Sequence, residues 1–373
     1  MKNCLWCGEE LQLLADESNI KRLNTTIGSA FPKDHKKSSG LEHDFGFYKC
    51  SKCNLRQICS SSKLEELGCV NALIRYHEPT FHHEDLAIRI ISLLGNKSTY
   101  NIYSLSPKDN DLAKALKTII EVRFNGKFGD CTSVASADII LATRQLEHIN
   151  SKRKIEELFN HSNPGCLLVV EALDFHYLSN KGVHSYLWEE RLSYFSINYI
   201  SKFAESRDFS VMDKHEYFDY KEPFWTLIMR KSEVAVEGKK EDFNDHLIET
   251  KPTLIENSKL RLVSACKYYL AINHNHIFVF IGIGHKALSA ALYVKTIFKA
   301  SMIRLYDSAE VKVGSTWNDI AIRHINAVIG DICPSDNALY TFSFSGSNAE
   351  NIKQEILVKD TQAKFSYIEE WYN

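Results

Sequence analysis

The sequence predicts an α/β chain with a small metal-binding module at its N-terminus and two Rossmann-like units behind it. Three observations predict it. Two CxxC pairs, Cys4-Leu5-Trp6-Cys7 and Cys50-Ser51-Lys52-Cys53, stand near the start. Strand and helix patterns alternate from about Glu78 to Ser232, which argues for a mostly parallel sheet covered on both faces. A complete β-α-β opening then begins at His276. The units divide as 1–77, 78–235 and 255–373, with the charged stretch Glu237-Gly238-Lys239-Lys240-Glu241-Asp242 read as a connecting segment.

Two thiolates separated by two residues chelate one ion from a tight turn, and a second turn completes a tetrahedral site, the preference of structural zinc. Gly8 and Asn54 follow the two pairs, and both residue types tolerate the positive φ that such knuckles need. A redox CxxC would open a helix after a strand, and neither pair does. Cys4, Cys7, Cys50 and Cys53 are therefore the expected zinc ligands. Four thiolates leave no open position, so the site reads as structural. The gap from Glu9 to Lys49 is wider than the common zinc-ribbon spacing, and it leaves His43, Cys59 and Cys69 as alternative ligands.

The 373 residues carry a net charge of −2. That balance gives no electrostatic case for nucleic acid or an anionic membrane. The longest apolar run, Ile277 to Ile283, is far short of the roughly 20 residues of a membrane span. The ten cysteines, with a start that leads straight into a knuckle rather than a signal peptide, point to a reducing cytoplasm and free or metal-bound thiols. Cys166 and Cys266 sit in apolar contexts and read as core.

In the first unit, Phe45 to Lys49 reads as a strand delivering the second knuckle, and Phe31 to Gly40 as a polar, mobile loop. The second unit holds an amphipathic helix over 83–94, a strand over 101–105, a helix over 112–118 and a buried strand over 137–142. A helix around 155–159, the turn Asn163-Pro164-Gly165, and strands over 166–171 and 225–229 come next. In the third unit, the strand His276–Ile281 leads through Gly282-Ile283-Gly284-His285-Lys286-Ala287 into a helix. A second strand there, 301–306, ends at Asp307.

Gly282-x-Gly284-x-x-Ala287, with an acid about 20 residues on, matches the dinucleotide fingerprint, in which a pyrophosphate meets a helix N-terminus and the acid holds a ribose. A Rossmann-like unit that keeps the turn without a cofactor fits the same residues. In the second unit the corresponding turn is read at Ser92 to Ser98, with Gly95 as its single glycine, and the next strand ends at Ser106 without a carboxylate. Histidines at 82, 83, 148, 176 and 184 offer imidazoles that titrate near neutrality, or polar surface. Tyr194 and Phe195 read as core as well as candidate site residues.

The order of these features resembles the zinc-containing deoxysugar C-methyltransferases. The two knuckles match that family's zinc module. Ala137 to Ala142 followed by Leu146-Glu147-His148-Ile149 looks like its core methyltransferase strand and the histidine after it. Glu190-Arg191-Leu192-Ser193-Tyr194-Phe195 is similar to its Glu-His-Leu-Ser-Tyr signature, and Gly282 to Ala287 with Asp307 to the start of its C-terminal domain. The resemblance implies a zinc module, a central class I methyltransferase-like domain and a C-terminal Rossmann-like domain. It implies zinc and S-adenosylmethionine as cofactors, and methyl transfer to the carbon beside the ketone of a keto-sugar nucleotide. The implied site is His148, Glu190, Arg191 and His176 for catalysis, with His148 leading as base. Gly95, Ser106 and Asp130 would serve the cofactor, and Tyr76, Tyr194, Gly282, Gly284 and Lys286 the substrate. The chain departs from the family where Arg191 replaces the signature histidine, because arginine stays protonated and cannot accept a proton. It departs again at the glycine-poor turn and at Ser106. A non-catalytic member that binds a sugar nucleotide or a partner enzyme, and a nicotinamide-dependent enzyme using the C-terminal fingerprint, are the two alternatives.

Overall fold

A computed structural model describes residues 2–15, 45–60, 80–175, 191–217, 224–233, 277–295, 302–333 and 338–371, apart from isolated positions within those ranges. The expected loop at 31–40, the connecting segment 237–242, His43, Cys69 and Cys266 lie outside the described residues.

The N-terminal sheet runs antiparallel through β1 (Leu11–Ala15), β2 (Phe45–Cys50) and β3 (Arg56–Ser60). Its fourth strand comes from far downstream, Ser193–Tyr194, which pairs with β3. The module is thus completed by chain that lies beyond most of the middle sheet in sequence.

The middle unit opens with helix α1 (Thr80–Ser92), then β4 (Thr99–Ser104), α2 (Asn110–Phe124), β5 (Lys127–Asp130) and β6 (Ile139–Thr143). Next come α3 (Lys152–Asn160), β7 (Leu167–Leu173), β8 (Ser193–Tyr194), α4 (Ile197–Glu205), β9 (Phe209–Tyr217) and β10 (Phe224–Lys231). The sheet order is β5-β4-β6-β7-β10-β9. β5, β4, β6 and β7 are parallel, and β10 runs against both β7 and β9. β6 and β7 are buried at every residue. This is what continuous apolar runs do in a sheet covered on both faces.

Alternate residues of these strands face two cores. Leu141, Leu167 and Val169 meet Leu86, Ile90, Leu112 and Leu116 of α1 and α2. Ile140, Leu168 and Val170 meet Leu158, Phe159 and Phe203 of α3 and α4, together with Trp6, Cys50 and Cys53. The cysteine module therefore shares a core with the second face. α4 begins where Ser196 accepts a hydrogen bond from Tyr199 N at 3.0 Å, an N-cap.

The third unit is a sheet of order β13-β14-β12-β11-β15-β16, made of β11 (Phe278–Ile281), β12 (Ile303–Asp307), β13 (Thr316–Trp317), β14 (Ile320–His324), β15 (Leu339–Phe342) and β16 (Lys364–Tyr367). All its pairings are parallel except β13 with β14. Helix α5 (Ser347–Lys359) joins β15 to β16. No described helix is long and apolar enough to cross a membrane.

Candidate functional sites

The four cysteines converge. Their sulfurs all lie within 4.8 Å of one another, with Cys4–Cys53 at 3.7 Å, Cys7–Cys50 at 3.4 Å and Cys7–Cys53 at 3.6 Å. Sulfurs held about 2.3 Å from one tetrahedral ion would be spaced about 3.8 Å apart, so the donor set fits zinc. Gly8 has φ 86° and Asn54 φ 59°, the left-handed turns expected of the knuckles. Hydrogen bonds within the cluster raise the Cys4 thiol and lower Cys7 to about 7, with Cys4 as the leading partner of Cys7. Cys59 is half-buried and stands outside the cluster.

Beneath the knuckles Trp6 is buried, its ring 4.7 Å from Phe203, 5.4 Å from Phe195 and 5.9 Å from Tyr199. Its indole N–H donates to Ser193 Oγ at 3.0 Å. Gln57 Nε2 donates to the same hydroxyl at 3.2 Å, while its Oε1 accepts from Leu5 N at 3.2 Å.

At the carboxyl edge of the middle sheet, strand order switches between β4 and β6, the place where doubly wound sheets bind ligands. The β4–α2 turn there contains Ser106 and Asp109, and it has no glycine. Asp109 is fully buried. Its carboxylate accepts from Ser106 N at 3.2 Å, from Thr143 N at 3.0 Å and from the Thr143 hydroxyl. Burial pushes this carboxyl up to about 6 against those hydrogen bonds. Asp109 thus stitches the turn to the end of β6.

Gly95 is not in this turn. It lies between α1 and β4, at the opposite end of the strand, because residues 80–92 are helical and the first strand starts only at Thr99. A Cβ there would meet nothing within 4 Å, so the position makes no demand for glycine. Asp130 ends β5, beside β4, exposed and paired with Lys117 at 2.8 and 2.9 Å.

A small pocket lies where the end of β7 meets β8. Glu147, Ala172, Leu173, Phe175, Arg191, Ser193, Tyr194 and Phe195 line it. Glu147 and Arg191 are both buried, and Glu147 O accepts from Leu192 N at 2.7 Å. The structure therefore brings Arg191 and Tyr194 together with Glu147, a residue that sequence reasoning passed over for its neighbour. His148 is half-buried in the same 3-10 turn, Leu146–His148, and is not among the lining residues. Tyr76, His176, Glu190 and Lys286 lie outside the described residues.

A second polar cluster has no counterpart in the sequence motifs. Glu171 of β7, fully buried, accepts from Arg144 Nε at 2.9 Å and pairs with His82 Nε2 at 2.8 Å. Thr226 Oγ1 donates to the same carboxylate at 3.3 Å. Burial would raise the Glu171 carboxyl, but His82 and Arg144 outweigh it and hold it low. Arg144, just past β6, has φ 53°, and its guanidinium lies 4.1 Å over the Phe224 ring. His82 was visible as a histidine. Its partners, 89 residues away in one case, were not.

In the third unit Gly282 has φ 83° and opens the expected turn, and the described residues from 287 to 295 are helical. Gly284 has open space around it. Asp307 does reach the turn, but as a structural tie. It accepts from Ile283 N at 2.6 Å, Ala309 N at 2.8 Å and Lys312 Nζ at 3.1 Å. A buried carboxylate engaged this way is not presented to a ribose.

No protein-family model matches the chain, and no curated protein matches it. Its structural neighbours are S-adenosylmethionine-dependent methyltransferases. Magnesium protoporphyrin IX methyltransferase of Synechocystis PCC 6803, with bound S-adenosylhomocysteine, is 10% identical at a TM-score of 0.29, over 41% of this chain and 83% of that one. The 1,6-didemethyltoxoflavin-N1-methyltransferase of Burkholderia thailandensis is 8% identical at 0.27, over 41% and 78%. An S-adenosylmethionine-dependent methyltransferase of Mesorhizobium loti is 10% identical at 0.28, over 40% and 98%. Likenesses this distant assign no substrate.

Proposed function

We propose that the chain is a zinc-stabilised, S-adenosylmethionine-dependent C-methyltransferase of diverged site, acting beside the ketone of a keto-sugar nucleotide. The observation that carries it is the middle sheet's order, β5-β4-β6-β7-β10-β9, with β10 reversed and inserted before β9. That is the strand order of class I methyltransferases without their third strand. In that order β5 is the second strand, which supports Asp130, at its end, as the residue that would accept hydrogen bonds from a ribose. When bound, the cofactor would supply an electrophilic methyl group. Cys4, Cys7, Cys50 and Cys53 would hold zinc as a structural ion.

The chain's own residues supply the rest. Arg191 carries a fixed positive charge into the pocket, suited to the oxygen of an enolate. Glu147 lines the same pocket, which at about 10 Å³ has room for about one water, so its carboxylate would take the proton of the carbon beside the ketone only once the pocket opens to substrate. Tyr194 and Phe175 give the pocket apolar walls.

One observation favours a second reading, a non-catalytic member that binds a sugar nucleotide or a partner. The donor's methionine end would cross the β4–α2 turn, and that turn holds Ser106 and the Asp109 tie in place of glycines. Calorimetric titration of the zinc-loaded protein with S-adenosylmethionine and S-adenosylhomocysteine separates the two. Micromolar binding, weakened about tenfold or more by Asp130→Ala, supports methyl transfer. No binding of either ligand leaves the second reading.

A further inference from the structure

The pocket and the cysteine cluster are parts of one mechanical unit. β8 supplies two lining residues, Ser193 and Tyr194, and among the described residues β8 pairs with β3 alone. β3 comes directly after the second knuckle. The hydroxyl of Ser193, a residue that lines the pocket, receives both the indole N–H of Trp6 and the amide of Gln57. Trp6 sits between Cys4 and Cys7 in the chain, and Gln57 also accepts from Leu5 N inside that knuckle. One residue past the wall, Ser196 caps α4 through Tyr199, whose ring packs edge-on against Trp6.

The knuckles need a reason to stay folded. Both turns use left-handed backbone, at Gly8 and at the non-glycine Asn54. Short antiparallel strands are marginal by themselves. Without an ion no metal bond joins the four cysteines to one another, and in small modules metal binding is folding free energy. Loss of the ion would release Leu5 and Trp6 first, and with them the indole bond to Ser193 and the Leu5 N–H that orients the Gln57 amide on the same hydroxyl.

We propose that metal occupancy of the Cys4–Cys7–Cys50–Cys53 centre sets the shape of the Glu147–Arg191 pocket, with Trp6, Gln57 and Ser193 as its positioning residues. The proposal rests on the zinc reading of the cluster and is independent of methyl transfer. Metal loss opens the β3–β8 pairing and frees residues 191–195, while the third unit stays folded.

Hydrogen exchange on the full chain tests it, before and after chelation and after zinc is restored, with metal content measured in parallel. The expected result is exchange about tenfold faster or more over 191–195 after chelation, reversed by zinc, with 278–281 and 303–307 unchanged. Trp6→Phe, which keeps a ring but loses the donor, should retain about one zinc per chain and still speed exchange over 191–195. Ser193→Ala should do the same, and Ser193→Thr, which keeps a hydroxyl, should restore protection. Unchanged exchange over 191–195 on chelation overturns the proposal, and so does equal loss of protection over 278–281. Absence of metal from the purified chain overturns both the proposal and the zinc reading.

Discussion

Asp109 is a buried carboxylate whose titration should be measurable as stability. Its neighbours are Ser106 and Thr143, all donors, yet burial dominates and the carboxyl lies at about 6 against an ordinary 3.8. At about 1.4 kcal/mol for each pH unit, that rise is worth about 3 kcal/mol. The folded pKa lies above the unfolded one, so the contribution is complete below 3.8 and is lost as pH rises through about 6. Between pH 4.5 and 7.5 linkage gives a loss of about 2 kcal/mol, the rest falling below pH 4.5. Asp109→Asn abolishes the titration. It also turns an N–H toward Ser106 N, an opposing cost of about 1–3 kcal/mol that does not vary with pH. The assay is urea unfolding of both proteins at pH 4.5, 6 and 7.5, read as the difference in stability, in which the carboxylates common to both cancel. The wild-type chain should gain about 2 kcal/mol on the variant as pH falls across that range. Parallel curves would show that Asp109 is not desolvated in solution, and the description of a closed β4–α2 turn would fall with them.

The same geometry sets four further outcomes. Purified chain should carry about one zinc, Cys50→Ser should lose it, and Cys59→Ala should keep it, by elemental analysis. Glu171→Ala leaves His82 and Arg144 buried without their carboxylate, and urea unfolding at pH 7 should show a loss of about 3–5 kcal/mol. Because the Glu171 pKa is lowered, its stabilisation is present above the ordinary 4.5 and fades as pH falls through the depressed value, opposite in sign to Asp109. Trp6→Ala should cost about 3–5 kcal/mol by the same measurement, since the ring is buried among Phe159, Phe195, Tyr199 and Phe203. Saturating NAD(H) should leave the thermal midpoint unmoved, because Asp307 is spent on Ile283 N, Ala309 N and Lys312.

The elements that could be read from sequence are those whose signal is local. β6 and β7 were legible because a strand buried on both faces is a continuous apolar run. The knuckles were legible because their cysteines come in close pairs and their turns use left-handed backbone at Gly8 and Asn54. Tyr194, Phe195 and Cys166 were legible as core and are buried. β9 was not legible. It is an edge strand whose residues Asp213, Lys214, His215 and Glu216 face solvent in whole or part, so no apolar alternation marks it. The turn at Gly95 was misplaced for a similar reason. A lone glycine between a helix and a strand looks like a glycine between a strand and a helix, and only the positions of α1 and β4 decide.

The site residues divide along the same line, and the division explains why the chemistry was harder to read than the fold. Arg191 and Tyr194 fall in one short signature, and the structure brings them to one pocket. Glu147 was overlooked in favour of His148, although both lie in the same 3-10 turn, because side-chain direction in so short a turn has no sequence period to report it. Glu171 with His82 and Arg144, and Asp109 with Thr143, join residues 27 to 89 positions apart. Ser193 with Trp6 spans 187. The first two clusters exist because β4, β6 and β7 end at the same edge of the middle sheet, and the Ser193–Trp6 contact because β8 pairs with β3 in the N-terminal sheet. That convergence is a property of strand order, and strand order is what a single sequence states least directly. The consequence for function is concrete. Residues that act at that edge are chosen by topology: Glu147 lines the pocket, and Asp109 and Glu171 are buried carboxylates that tie separate elements together, so substitutions at these three should move ligand binding or stability more than substitutions at the half-buried His148, which does neither.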